Sequence, residues 1–148
     1  LRTTIMSKPA FTTPAEAEAA FYDALARSDL EAMMSIWSEE DEVMCVHPGG
    51  PRIVGLAAVR ELWRQIFAGG TRLEVRTSQL VTHATLVLAV HNLLEEIAVA
   101  GEEAGGPPIV ATNVYARGAN GWRMVMHHAS ATPDLMNLQF QDAPHIVH

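Results

Sequence analysis

The chain is short of the residues that would commit it to several common roles. It has one cysteine in 148 residues, so no internal disulfide can form. The setting of Cys45 in an apolar run suits a reducing, cytoplasmic environment. Basic residues are also scarce, 10 against 17 acidic, which leaves a formal charge of −7 at pH 7. No Lys/Arg cluster offsets that balance locally, so the chain repels phosphate backbones and anionic bilayers, and neither nucleic acid nor membrane is an expected partner. No apolar run reaches the length that spans a bilayer, and the first residues lack the apolar core of a signal peptide. The chain does have 49% hydrophobic residues, enough at this size to bury one core without staples. One domain is expected over residues 14–132, with an N-terminal extension (1–13) and a C-terminal tail (133–148) of no clear period.

Helical signals fill the first half. Thr13, Pro14 and Glu16 form a capping box with proline at the first helical position, and Ala17, Ala20, Phe21, Ala24 and Leu25 follow as one apolar stripe. The SDLE segment repeats the box with Ser28 and Glu31 and predicts a second helix whose stripe is Leu30, Met33, Met34 and Trp37. A third helix follows Gly55, carries Leu56, Val59, Leu62, Trp63, Ile66 and Phe67 on one side, and ends at Gly69 and Gly70.

Elsewhere the apolar period is two. Val43 to His47 reads as a short strand stopped by Pro48, Gly49, Gly50 and Pro51. Leu73–Val81, Thr85–Val99, Ile109–Ala116 and Gly121–Ser130 read as strands joined by good turn formers, and therefore as an antiparallel sheet.

The segments SDLEAMMSIW, VMCVHPGGPRIVGLAAVRELWRQIF and TNVYARGANGWRMVMHHAS, in that order, resemble the SnoaL-like branch of the NTF2-like superfamily, which includes ketosteroid isomerases. The resemblance covers roughly residues 14–131. It implies an α+β cone, three N-terminal helices packed in the concave face of a curved, mostly antiparallel sheet, with an apolar small-molecule pocket between them. The same cone hosts isomerases, dehydratases, cyclases and domains without catalysis, so fold alone does not assign a reaction.

In ketosteroid isomerases the general base is an Asp followed by Pro in the strand before the third helix, and His47 before Pro48 stands at the matching place. Imidazole can accept a proton at neutral pH, and a neighbouring carboxylate would raise its pKa. The isomerase tyrosine donor on the first helix matches Phe21, with Tyr22 about 100° round the helix, so that donor reads as lost. The protonated Asp of their oxyanion hole falls near Thr112 or Asn113, neutral donors instead of a buried acid.

On the last strand His127 shares a face with Val125 and Ala129, and His128 with Trp122, Met124 and Met126. The small residues turn His127 into the cone, as a pocket group or as a structural histidine. The Trp/Met face then lies on the convex side and suits a homodimer interface. Trp37, Trp63, Asn113 and Tyr115 are the candidate ligand-binding residues; the tryptophans also read as core, and Arg52 reads as a solvated loop residue. The histidine spacings match no helix-borne zinc site, HPGGP has prolines where a phosphate loop needs donors, and no metal or cofactor is expected. Two functions follow: a domain that binds a small apolar or carbonyl-containing metabolite, or a cofactor-independent isomerase, dehydratase or cyclase with His47 as base and His127 as polar partner.

Overall fold

A computed structural model describes residues 8–103 and 105–133. The expected C-terminal tail from residue 134 on, and residues 1–7 of the extension, lie outside the described residues. Three helices come first, α1 (Pro14–Arg27), α2 (Leu30–Met34) and α3 (Leu56–Phe67), the third after two short strands, β1 (Met44–Val46) and β2 (Ile53–Val54). Four long strands complete the sheet: β3 (Leu73–Ala84), β4 (Leu88–Val99), β5 (Ile109–Gly118) and β6 (Gly121–Ala131). The six strands run in the order β2-β1-β6-β5-β4-β3, all antiparallel except β1 on β6. This is the expected α+β cone.

The first cap forms as its residues predict, with Thr13 Oγ1 accepting from Glu16 N and the Glu16 carboxylate accepting from Thr12. The second differs. Ser28 adopts a left-handed conformation (φ 52°) that ends α1, and Asp29 caps α2 by accepting from Ala32 N. Helix α2 stops at Met34, so Trp37 lies beyond it and bridges to Met124. Helix α3 buries Val59, Trp63 and Phe67, one residue per turn, and leaves Ile66 at 46% exposure. Side chains of this size each stabilise the fold by about 1.5–3 kcal/mol when withdrawn from water.

The sheet is built on β6. Three segments cover its outer edge in turn: Phe11 pairs with Gly121, the backbone of Ile36 and Ser38 brackets Met124, and β1 joins from Met126 onward. Gly121 has φ 93°, and a side chain there would run into the backbone of Phe11, so only glycine suits this contact.

Between the Met124 and Met126 attachments, the register of β6 against β5 shifts by one residue. The bulge reverses side-chain parity along the strand. As a result Met124 (0% exposed) lies beside Tyr115 on the concave side, and Trp122 is also buried. The expected convex patch of Trp122, Met124 and Met126 therefore does not form. The convex face is instead made by Val90, Leu94, Val110, Val114 and Met126, all half-buried, with Val81 54% exposed. Among the described residues no helix is long and apolar enough to cross a membrane.

Candidate functional site

Strand pairing places the candidate residues. Cys45 is level with His127 across β1 and β6, His127 with Asn113 across β6 and β5, and Asn113 with His91 across β5 and β4. The side chains of Cys45, His127, Asn113 and His91 face the helices, whereas Thr112 lies on the convex side and bonds Asn92. His47 and His127 come together with ring centroids 5.5 Å apart, and Trp63 packs edge-on against His47 at 4.8 Å. Phe21 closes over His127 at 4.9 Å. Of the six candidates His47 alone is half-buried. Trp37, Trp63, Asn113, Tyr115 and His127 are at most 2% exposed. His128 is exposed on the opposite face. A groove of about 390 Å³ between β3, β4 and the β4–β5 loop, lined by Glu74, Arg76, Glu96 and Glu102, includes none of the six.

The polar atoms under α1 form one network. Asn113 Nδ2 donates to Tyr22 Oη (2.9 Å) and reaches toward Glu18 Oε2 (3.5 Å). Tyr22 Oη in turn donates to Glu95 Oε2 (2.6 Å). Glu18 Oε2 also accepts from Tyr115 Oη (2.8 Å) and faces His91 Nδ1 (2.9 Å).

These contacts fix the orientation of the Asn113 amide, because a reversed amide would set its carbonyl oxygen against a carboxylate. Oδ1 therefore points to His127 Nδ1 at 2.6 Å. His127 must donate from Nδ1, which leaves Nε2 with its lone pair free. Burial drives the His127 pKa down to about 3, with His47 and His128 adding to the effect. Burial also lowers His47, and no carboxylate among the described residues offsets it. Among the described residues its ring has one polar contact, Cys45 Sγ at 3.6 Å from Nε2, and burial pushes that thiol up to about 12. Both imidazoles are thus neutral at pH 7 and available as acceptors. The indole nitrogens of Trp37 and Trp63 are buried without a partner among the described residues.

Three participants were not picked out from sequence, and a fourth was set aside. Tyr22 is buried and its hydroxyl donates to the buried Glu95, so it belongs to the network under α1. Its hydroxyl is held well above the usual range by burial and by Glu95. Glu95 is raised by burial, opposed by the Tyr22 hydrogen bond. The signals were the i, i+4 pairs Glu18/Tyr22 on α1 and His91/Glu95 on β4, which flank apolar inward positions. Among the described residues no group of three or more His, Cys, Asp or Glu is placed to hold a metal ion.

The model of the SnoaL-like domain matches residues 15–134. A candidate association domain of calcium/calmodulin-dependent protein kinase type II from Thiobacillus denitrificans is 40% identical, with 84% of this chain and 99% of that one covered at a TM-score of 0.73. A candidate dehydratase of the NTF2-like family from Streptomyces avermitilis is 30% identical over 81% and 94% of the two chains, also at a TM-score of 0.73. An F-box protein of Arabidopsis thaliana is 26% identical over 110 residues, and this chain spans 46% of its length.

Proposed function

The chain belongs to the SnoaL-like domain family, and on that premise we propose that it binds a small carbonyl compound beside His47 and moves a proton on it without a cofactor. The observation that carries this reading is the convergence of two neutral imidazoles, His47 and His127, on one inward surface 5.5 Å apart. An isomerase or dehydratase needs a base within reach of a carbon-bound proton and a donor for the carbonyl oxygen. His47 is the base: it is half-buried, kept neutral by desolvation, and held by Pro48 at the end of its strand. Trp63 Nε1–H, sealed and without a partner among the described residues, becomes the donor for the oxygen only when a ligand displaces the packing beside it. His127 Nε2 is an acceptor and orients a hydroxyl or N–H of the ligand. The proton taken by His47 leaves an enolate, and its return to a different carbon gives the isomer while restoring the imidazole. The likeness to a candidate dehydratase supports the same class.

A second reading, a non-catalytic binding or association domain, is favoured by a specific observation. The interior is closely packed, with Trp37, Asn113 and Tyr115 at 0% exposure, and the chain is similar to a candidate association domain. In both readings the protein is cytoplasmic and works as a homodimer through the convex face of Val90, Leu94, Val110, Val114 and Met126. Light scattering at micromolar concentration should return twice the 16.1 kDa chain mass.

Proton NMR of small cyclic ketones in D2O separates the two functions. The proton-transfer reading expects loss of the α-proton signal faster with protein than without. His47→Ala should slow that exchange by about 10² to 10⁴-fold. Ketone binding without exchange supports the binding domain, and neither binding nor exchange leaves the association domain.

A further inference from the structure

The two histidines at the base of the proposed function do not include the one with a carboxylate behind it. His91 Nδ1 lies 2.9 Å from Glu18 Oε2, an oxygen that also accepts from Tyr115 Oη at 2.8 Å. A carboxylate that accepts from a tyrosine presents an acceptor to the imidazole as well. His91 therefore donates from Nδ1 and keeps the lone pair on Nε2. A carboxylate, an oriented imidazole and a free Nε2 form the arrangement that makes a histidine an efficient general base. His91 Nε2 has no partner among the described residues, and it is not one of the sealed, unpartnered atoms, which are the two indole nitrogens.

His91 is 4% exposed, and its neighbours toward the hairpin are small. Thr82 is its cross-strand neighbour and is exposed, while Ala84 and Ala89 pair one step further along the same face. Leu86 and Val87, at the tip of the β3–β4 hairpin, are 82% and 61% exposed. Helix α1 separates this place from His47, because Phe21 closes over His127 whereas Glu18, one turn earlier, reaches His91.

We propose that Glu18 and His91 form a second acid–base site, on the side of the β3–β4 hairpin, that takes the proton of water or of an alcohol during attack on a small neutral ester or carbonyl compound. Neutral substrates are specified by charge: Glu18 faces the site and the whole chain carries −7, so an anionic substrate is repelled. In the step itself Nε2 accepts a proton from water as the oxygen adds to the carbonyl carbon. The alkoxide or phenolate then leaves and is protonated by the imidazolium, so one ester and one water give one acid and one alcohol. This site does not depend on His47 and stands whether or not the proton-transfer reading holds.

The probe is 4-nitrophenyl acetate hydrolysed by the full chain and followed by release of 4-nitrophenolate. His91→Asn keeps an N–H for Glu18 and removes the Nε2 base, and it should lower the rate by about 10²-fold. Glu18→Gln should lower it less. Thr82→Trp, which leaves the dyad intact and fills the space beside it, should also abolish the excess rate, and this variant keeps the test valid if His91→Asn fails to fold. A parent rate no greater than that of free imidazole at equal concentration overturns the proposal. A folded His91→Asn or Thr82→Trp protein with parental rate does so too, and His91 is then a pin that holds α1 to the sheet.

Discussion

Two histidine centres occupy one concave face, and they differ in what stands behind the ring. His127 is held by a neutral amide, Asn113, deep under Phe21, and its pKa falls to about 3 because nothing compensates for burial. His91 is held by the Glu18 carboxylate near the exposed end of the sheet. A histidine of the first kind stays neutral and accepts hydrogen bonds, and one of the second kind has a partner for its charged form. Placement across three adjacent strands therefore assigns different chemistry to the same side chain. Asn113 belongs to both centres, since its amide touches His127 on one side and approaches Glu18 on the other.

The comparison can be broken at its His127 end first. Trp63 walls His47 and His127 and is 1% exposed. Trp63→Ala should cost about 3–5 kcal/mol in denaturant unfolding, through lost transfer energy and the cavity left behind. A loss below about 1 kcal/mol would instead place the indole at an open cavity wall.

The shared residue gives the next effect. Asn113→Ala leaves His127 Nδ1–H and Tyr22 Oη each short of a buried partner and removes the longer approach to Glu18, and about 3 kcal/mol of stability should be lost. Two-dimensional NMR should show shifts at both His127 and His91, whereas Trp63→Ala should perturb the His127 end alone.

Acid supplies a third, smaller effect, read from the sign of the His127 shift. Its folded pKa of about 3 lies below the unfolded 6.5, so its contribution is fully present above pH 6.5 and is lost as pH falls toward 3. At pH 5 this amounts to about 2 kcal/mol. Urea unfolding as a function of pH should follow this loss, and His127→Asn should flatten it.

Much of the molecule was legible in the sequence, because caps, turn residues and strand periods are local signals. Helix starts, turns and strand runs came from such signals, whereas the cone and the place of His47 before Pro48 came from the family resemblance of three ordered segments. The polar network did not. On β4 the face Leu88/Val90/Asn92/Leu94 is more apolar than Ala89/His91/Leu93/Glu95, so alternation favours the wrong face and only pairing with β5 decides that His91 and Glu95 turn inward. Tyr22 was set aside because helical phase put Phe21 inward, yet both are buried on neighbouring flanks of α1. The β6 bulge carries no glycine. Its cause is non-local, the docking of residues 36–38 and of β1 at two different registers, which single-strand alternation cannot reveal.

The claim that most of this rests on is the protonation pattern set by Asn113, and two-bond proton–nitrogen NMR of histidine-labelled protein at pH 7 reads it directly. The account predicts His127 as the neutral tautomer with its proton on Nδ1 and Nε2 bare, unchanged down to about pH 4, together with a neutral His47. A His127 that carries its proton on Nε2, or is charged at pH 7, would contradict it.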